Sequence, residues 1–242
     1  MTTLFIADLH LSPNAPDMTH AFLSFLSKQA PDADALYILG DLFDFWIGDD
    51  DNSDFANTIK AAIHQLTHQH RVPVYFIQGN RDFLLGQRFC QQTGMTLLAD
   101  EVVIDLYGER VLIMHGDTLC TDDQAYQNFR AKVHQPWLQW LFNHLPFALR
   151  RYIVSKIQHN ARDEKQQKSM TIMDVNQRAV EQRLIEQQVQ CLIHGHTHRP
   201  NVHHFLCGEQ HAQRIVLGDW FEQGSYLKIT SDHKQLFFFP LL

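Results

Sequence analysis

At five places a short apolar run stops and Asp, Asn or His follows at once. Ile6-Ala7 leads into Asp8-Leu9-His10, Ile38-Leu39 into Gly40-Asp41, and Phe76-Ile77-Gln78 into Gly79-Asn80-Arg81-Asp82. Ile113-Met114 leads into His115-Gly116-Asp117, and Cys191-Leu192-Ile193-His194 into Gly195-His196-Thr197-His198. Oxygen and imidazole donors without thiolate suit Mn, Fe, Zn or Mg rather than a structural cysteine-zinc site. Seven such side chains, Asp8, His10, Asp41, Asn80, His115, His196 and His198, exceed the needs of one ion. They suit two ions ~3.5–4 Å apart sharing a bridging carboxylate, the arrangement that activates water against a phosphoryl group. Singly each has an ordinary reading: Asp8 as a turn residue, Gly40-Asp41 as a plain turn, His115 as a packed histidine. The metal reading rests on five strand ends agreeing on one donor set. His194 continues its run and reads as a packed group, whereas Asp44, Asp82 and Asp117 read as carboxylates orienting imidazoles.

Such a site needs strands whose carboxyl ends meet, as in an open α/β sheet. The apolar runs predict strands at Thr2–Ala7, Ala35–Leu39, Val72–Ile77, Thr96–Leu98, Glu101–Tyr107, Arg110–Met114, Cys191–His194, Val202–Phe205, Arg214–Leu217, Ser225–Ile229 and Gln235–Phe239, with a hairpin turn at Gly108-Glu109. Helical spacing marks Asp17–Lys28, Asp54–His70 and Asp174–Gln188. Residues 121–170 read as helices alone, Gln124–His134, Trp137–Asn143 and a broken Ala148–Met170, with Pro136 and Pro146 at the joints. The expectation is a body over 1–120 and 171–242 with a helical cap inserted at 121–170.

Composition sets the bounds. The 242 residues are 45% hydrophobic and 19% charged, which is globular and excludes disorder, collagen and coiled coil. No run approaches ~18 apolar residues, and the first eight residues read as strand rather than secretory leader. The four scattered cysteines read as reduced thiols of a cytosolic protein. The net charge of −7 argues against nucleic acid. Residues 122–170 nevertheless carry +4 against −11 elsewhere. There Trp137, Trp140 and Phe147 stand beside Arg150-Arg151, a composition that suits a peripheral membrane contact or an acyl groove, although helix packing would use the same residues.

Asp-x-His, Gly-Asp, Gly-Asn-Arg-Asp, His and Gly-His-Thr-His, in this order over residues 8 to 198, resemble the calcineurin-like metallophosphoesterase superfamily. Leu39-Gly-Asp-Leu-Phe-Asp-Phe-Trp46, Gly79-Asn-Arg-Asp-Phe-Leu84, Met114-His-Gly-Asp-Thr-Leu-Cys120-Thr-Asp-Asp123 and Ile172-Met-Asp-Val-Asn176 are similar to its UDP-diacylglucosamine pyrophosphohydrolases of lipid A biosynthesis. The resemblance implies a four-layer α/β/β/α sandwich. It also implies two Mn²⁺ ions, a lipid-linked UDP-sugar substrate cleaved to UMP and 2,3-diacylglucosamine 1-phosphate, and a peripheral place at the cytoplasmic face of the inner membrane, here taken as a monomer. By the same resemblance Asp8, His10, Asp41 and His198 would hold one ion, and Asp41, Asn80, His115 and His196 the other. Asn80, Arg81, Asp123, Ala161, Lys165, Lys168 and His196 would meet substrate, although Ala161 and Lys165 depart from the polar residues expected at their places. Arg81 stands where many members of the superfamily carry a histidine that protonates the leaving group. Asn80 and Arg81 are the catalytic candidates, because a sugar phosphate leaves as a stable anion and needs fixed positive charge more than a proton. Two rivals share the motifs: a phosphoesterase for soluble nucleotides or phosphoproteins, and a membrane-associated module without catalysis, which loss of ligands would mark.

Overall fold

The apolar runs do become strands, and their burial on both faces explains why they lack strict alternation. The computed structural model describes residues 1–165 and 174–241, and for 158–165 the backbone alone. A first sheet has the order β11-β10-β1-β2-β3-β4. Its members are β1 (Thr3–Ile6), β2 (Ala35–Leu39), β3 (Val74–Ile77), β4 (Thr96–Leu97), β10 (Gln223–Ile229) and β11 (Lys234–Pro240). A second sheet, β5-β6-β7-β9-β8, contains β5 (Glu101–Leu106), β6 (Glu109–Met114), β7 (Cys191–His194), β8 (Asn201–Cys207) and β9 (Gln210–Val216). Within the first sheet β1, β2 and β3 run parallel, and within the second so do β6, β7 and β9.

Alternation along each strand sorts the side chains into three cores. Phe5, Ala7, Leu39 and Ile77 from the first sheet meet Val111, Ile113, Cys191, Ile193 and Ile215 from the second. On the far face of the first sheet Leu4, Ile6, Ile38 and Phe76 pack under α1 (Pro16–Lys28), α2 (Asp54–His68) and α3 (Gln87–Thr93). On the far face of the second, Leu112, Met114 and Leu192 pack under α7 (Gln177–Gln187) through Val180 and Leu184. This is the expected four-layer α/β/β/α sandwich.

Three details differ from the sequence reading. Helix α3 is short and ends at Gly94 in the left-handed region, too brief for its periodicity to show. The β5–β6 turn is Tyr107-Gly108, both at positive φ, one residue earlier than expected. Helix α7 starts at Gln177 rather than Asp174, because the Asn176 side chain accepts from the Arg178 and Ala179 backbone N–H groups and fixes the start.

Residues 121–165 form α4 (Gln124–Val133), α5 (Pro136–Asn143) and α6 (Phe147–Lys165). Helix α6 is continuous where a break was expected. Neither α4 nor α5 buries a residue, and Trp137 and Trp140 are about two-thirds exposed. Arg150 of α6 is the exception. It is buried, donates to the Ile47 carbonyl oxygen at 2.7 Å, pairs with Asp50, and so fastens this helix to the loop after β2.

Ile193 is fully buried between the sheets, and its replacement leaves a void that neither sheet can close. Ile193→Ala is expected to lower unfolding free energy by about 2–5 kcal/mol, read from a urea titration with unchanged slope.

Candidate metal centre

Backbone ladders continue past the strand ends and set the cluster. After β1 and β2, Asp8 N–H donates to the Gly40 carbonyl oxygen (3.1 Å) and His10 N–H to that of Asp41 (2.9 Å). After β6 and β7, Gly195 N–H donates to the His115 carbonyl oxygen at 2.9 Å. Asp82 joins the loops after β2 and β3: its buried carboxylate accepts from the N–H groups of Gly79 (2.8 Å), Leu42 (2.7 Å) and Asp41 (3.2 Å). Five cluster residues, Asp8, His10, Asp41, His196 and His198, have positive φ, an uncommon state for side chains of this size. Their strain persists because the surrounding hydrogen bonds over-determine it.

All seven expected donors converge. His10 Nε2 lies 3.3 Å from His198 Nε2, which lies 3.4 Å from Asp8 Oδ1. Asn80 Oδ1 is 3.0 Å from both His115 Nε2 and His196 Nδ1. Asp41 Oδ2 stands between the two groups, 3.8 Å from His10 Nε2 and 3.8 Å from His115 Nε2.

Each carboxylate has one oxygen tied and one turned inward. Asp8 Oδ2 accepts from His196 N–H and Asp41 Oδ1 from Arg81 N–H, both at 2.8 Å. Two imidazoles are oriented likewise, His115 by Nδ1 on the Leu39 carbonyl oxygen (2.8 Å) and His198 by Nδ1 on Asp219 (3.0 Å). The imidazole-orienting carboxylate is therefore Asp219. Asp82 holds backbone instead, and Asp117 accepts from Tyr126 Oη and Arg130 Nε. Asp219 lay within reach of the same signal as the rest, since Val216-Leu217-Gly218-Asp219 repeats the pattern of strand end and Gly-Asp. Phe221 carried no such signal. It stacks on His10, ring centroids 5.2 Å apart and 11° between planes.

The electrostatics are those of a site short of positive charge. Burial, with Asp82 and Asp8 nearby, pushes the Asp41 carboxyl up to about 7, and burial raises Asp82 to about 6. Burial would also raise Asp8, but the His198 imidazole 3.4 Å away and the charges of His115, His198 and His10 outweigh it and hold Asp8 well below the usual range. His115 and His198 are raised to about 9 against burial, the first by Asp41 and Asp8, the second by Asp219 and Asp8. Burial lowers His10 to about 3 and His196 to about 4. Asp8 Oδ1 and His10 Nδ1 are buried without hydrogen-bond partners. Asp8, His10 and His198, and again Asp8, Asp41 and His115, each present donor atoms within 4.8 Å of one another. A divalent cation answers the crowded carboxylates and the orphaned Asp8 oxygen together.

Of the remaining candidates, Arg81 stacks its guanidinium 4.8 Å over Phe45, and its charge is felt at His10. The Asp123 side chain accepts from Tyr126 N–H and begins α4. His194 is fully buried and neutral: its Nδ1–H meets the Gly195 carbonyl oxygen and its Nε2 accepts from Arg214. The side chains of Ala161 and Lys165, and the whole of Lys168, lie outside the described residues.

A strained two-group cluster between two sheets defines a class, and the comparisons agree. Residues 1–200 match the family model described as calcineurin-like phosphoesterase, and the chain belongs to that family. It is 58% identical over 236 residues to the UDP-2,3-diacylglucosamine hydrolase of Vibrio parahaemolyticus, covering 98% of this chain and 97% of that one. To the UDP-2,3-diacylglucosamine hydrolase of Escherichia coli it is 56% identical over 240 residues, 99% of this chain and all of that one. A solved archaeal phosphodiesterase shares the fold at 12% identity and a TM-score of 0.50, over 98% of this chain and 99% of its own.

A Cβ at Gly79 would overlap Asp41, both its backbone nitrogen and its carboxylate. Gly79→Ala is expected to displace Asp41 and weaken divalent-metal retention at least tenfold, measured by metal content after dialysis, while the far-ultraviolet dichroism stays that of the parent.

Proposed function

We propose that this protein hydrolyses the pyrophosphate of UDP-2,3-diacylglucosamine, releasing UMP and 2,3-diacylglucosamine 1-phosphate in lipid A biosynthesis. The carrying observation is the convergence of all seven donors in a chain 53–59% identical, over nearly its full length, to enzymes named for that hydrolysis. In this reading Asp8, His10, Asp41 and His198 hold one ion, and Asp41, Asn80, His115 and His196 hold the other. Asp41 would be shared between the two, its Oδ2 lying 3.8 Å from both His10 Nε2 and His115 Nε2. Two divalent ions, taken as Mn²⁺, supply Lewis acidity toward the phosphoryl oxygens and lower the pKa of water.

The chain's own residues supply the rest. Water attacks the α-phosphorus in line, and the bond to the bridging oxygen breaks with its electron pair staying on the sugar 1-phosphate. That leaving group is a stable anion, so a fixed cation serves where an alkoxide would need a proton. Arg81 is that cation. Its backbone N–H on Asp41 and its stack on Phe45 hold it beside the cluster before substrate arrives. Asn80 orients phosphoryl oxygen as well as donating to the second group. Asp123, Lys168 and His196 are read as substrate contacts, and so are Ala161 and Lys165.

Helices α4–α6 are read as an inserted cap that takes the acyl chains and rests on the cytoplasmic face of the inner membrane. Trp137, Trp140, Leu141, Leu149 and Tyr152 support this, since each is exposed and together they are more apolar surface than a helix face in water needs. Among the described residues no helix is long and apolar enough to cross a membrane, so a contact there would be peripheral.

The test is Mn²⁺-dependent release of UMP from UDP-2,3-diacylglucosamine, with soluble UDP-N-acetylglucosamine as control. Cleavage of the lipid substrate alone, abolished by chelator, is the expected result; a metal-loaded protein that leaves the lipid intact overturns the reading. Asp41→Asn is expected to lose more than about a hundredfold in rate together with metal content. Arg81→Ala is expected to lose about 10²–10³-fold in kcat with metal content unchanged, and full activity in that variant would remove Arg81 from the chemistry.

A further inference from the structure

The outer face of the second sheet holds a second cationic site. Strand register places His203 directly opposite Arg214 across β8 and β9, so both side chains lie on one face. Together with Thr197, Arg199, Asn201 and Asp174 they line a recess of about 240 Å³. Arg199 is engaged by Asp174 at 2.7 Å. Arg214 makes no ion pair among the described residues, and it feels the charge of Asp174, a carboxylate already engaged by Arg199, only at longer range. It is 8% exposed, and its one hydrogen bond among the described residues runs from Nη1 to neutral His194 Nε2 at 3.4 Å. Its Nε–H is buried with no hydrogen-bond partner among the described residues.

An always-charged guanidinium held this deep beside an imidazole, with no carboxylate in hydrogen-bond contact among the described residues, is short of an anion. The fork of N–H donors suits a planar or tetrahedral oxyanion, and His203 across the strand offers a second donor. Among the described lining residues two arginines, Arg199 and Arg214, stand against one carboxylate, Asp174. We propose that this recess binds a phosphate dianion, free or as a phosphomonoester, through Arg214 and His203. The residues that would hold it are distinct from the seven donors of the metal cluster. The two are linked only by the Gly195–His198 loop, whose Thr197 forms part of the recess wall.

The experiment is calorimetric titration of the manganese-loaded protein with inorganic phosphate, in parent, Arg214→Gln and His203→Ala. The parent is expected to bind two equivalents, one at the metal centre and one in the recess. Both variants are expected to weaken the second at least tenfold, with metal content unchanged and hydrolysis within twofold of the parent. A parent that binds one equivalent, or variants that bind both as the parent does, overturns the site. Should Arg214→Gln fail to fold, His203→Ala decides alone, because His203 is only half-buried. Titrating with UMP in a second arm identifies the source: displacement of recess phosphate assigns the site to a nucleotide phosphate, and resistance assigns it to free phosphate. Acetate, a carboxylate of single charge, is expected to displace neither.

Discussion

Three buried carboxyl groups, Asp8, Asp41 and Asp82, share one small volume, and much of the local architecture answers the cost of putting them there. Burying a carboxylate without compensation is prohibitive. Asp82 is compensated by backbone, since its oxygens collect the amides of the loops after β2 and β3. That arrangement in turn fixes where Asp41 and Asn80 point. Asp8 is compensated by imidazolium character on His198 and His115, and Asp41 only in part. The shortfall is what divalent metal fits, and it explains why a protein would hold so many donors in left-handed backbone.

The fold itself is ordinary in its energetics. Strands two to seven residues long, the central ones buried on both faces, alternate their side chains between a central core and an outer one. Helices then close the outer faces. Nothing in that packing requires Asp8 or His10. The sheet ends supply only a position, and chemistry enters through the residues that follow.

That division explains which parts were legible beforehand. Apolar runs followed by Asp, Asn or His revealed all seven donors, because strand ends and donor types are both local properties. Asp219 followed the same rule after β9, at an end that no metal-binding motif marked. Phe221 and Tyr126 were invisible, since a ring stacked on His10 or a hydroxyl bonded to Asp117 depends on loops that meet only in three dimensions. Roles expected for Asp82 and Asp117 differed for a similar reason: sequence proximity to a histidine does not say whether a carboxylate meets an imidazole, a backbone amide or another side chain. Helix α3 escaped because seven residues give two turns, too short for a period to stand out. The exposure of Trp137 and Trp140 needed the structure, as the same residues at the same spacing would serve a helical core.

The seven donors are divided between the layers. Asp8, His10, Asp41 and Asn80 follow strands of the first sheet, and His115, His196 and His198 follow strands of the second. Elsewhere the two layers adhere mainly through apolar side chains such as Leu39, Ile113 and Ile193, with few directional contacts, Thr3–Tyr107 and Lys234–Glu109 among them. An ion gripped from both sides acts as a rivet through that slippery interface. Its binding free energy would add to the adhesion of the sheets, so resistance to heat and the cell's metal supply become one thermodynamic variable rather than two.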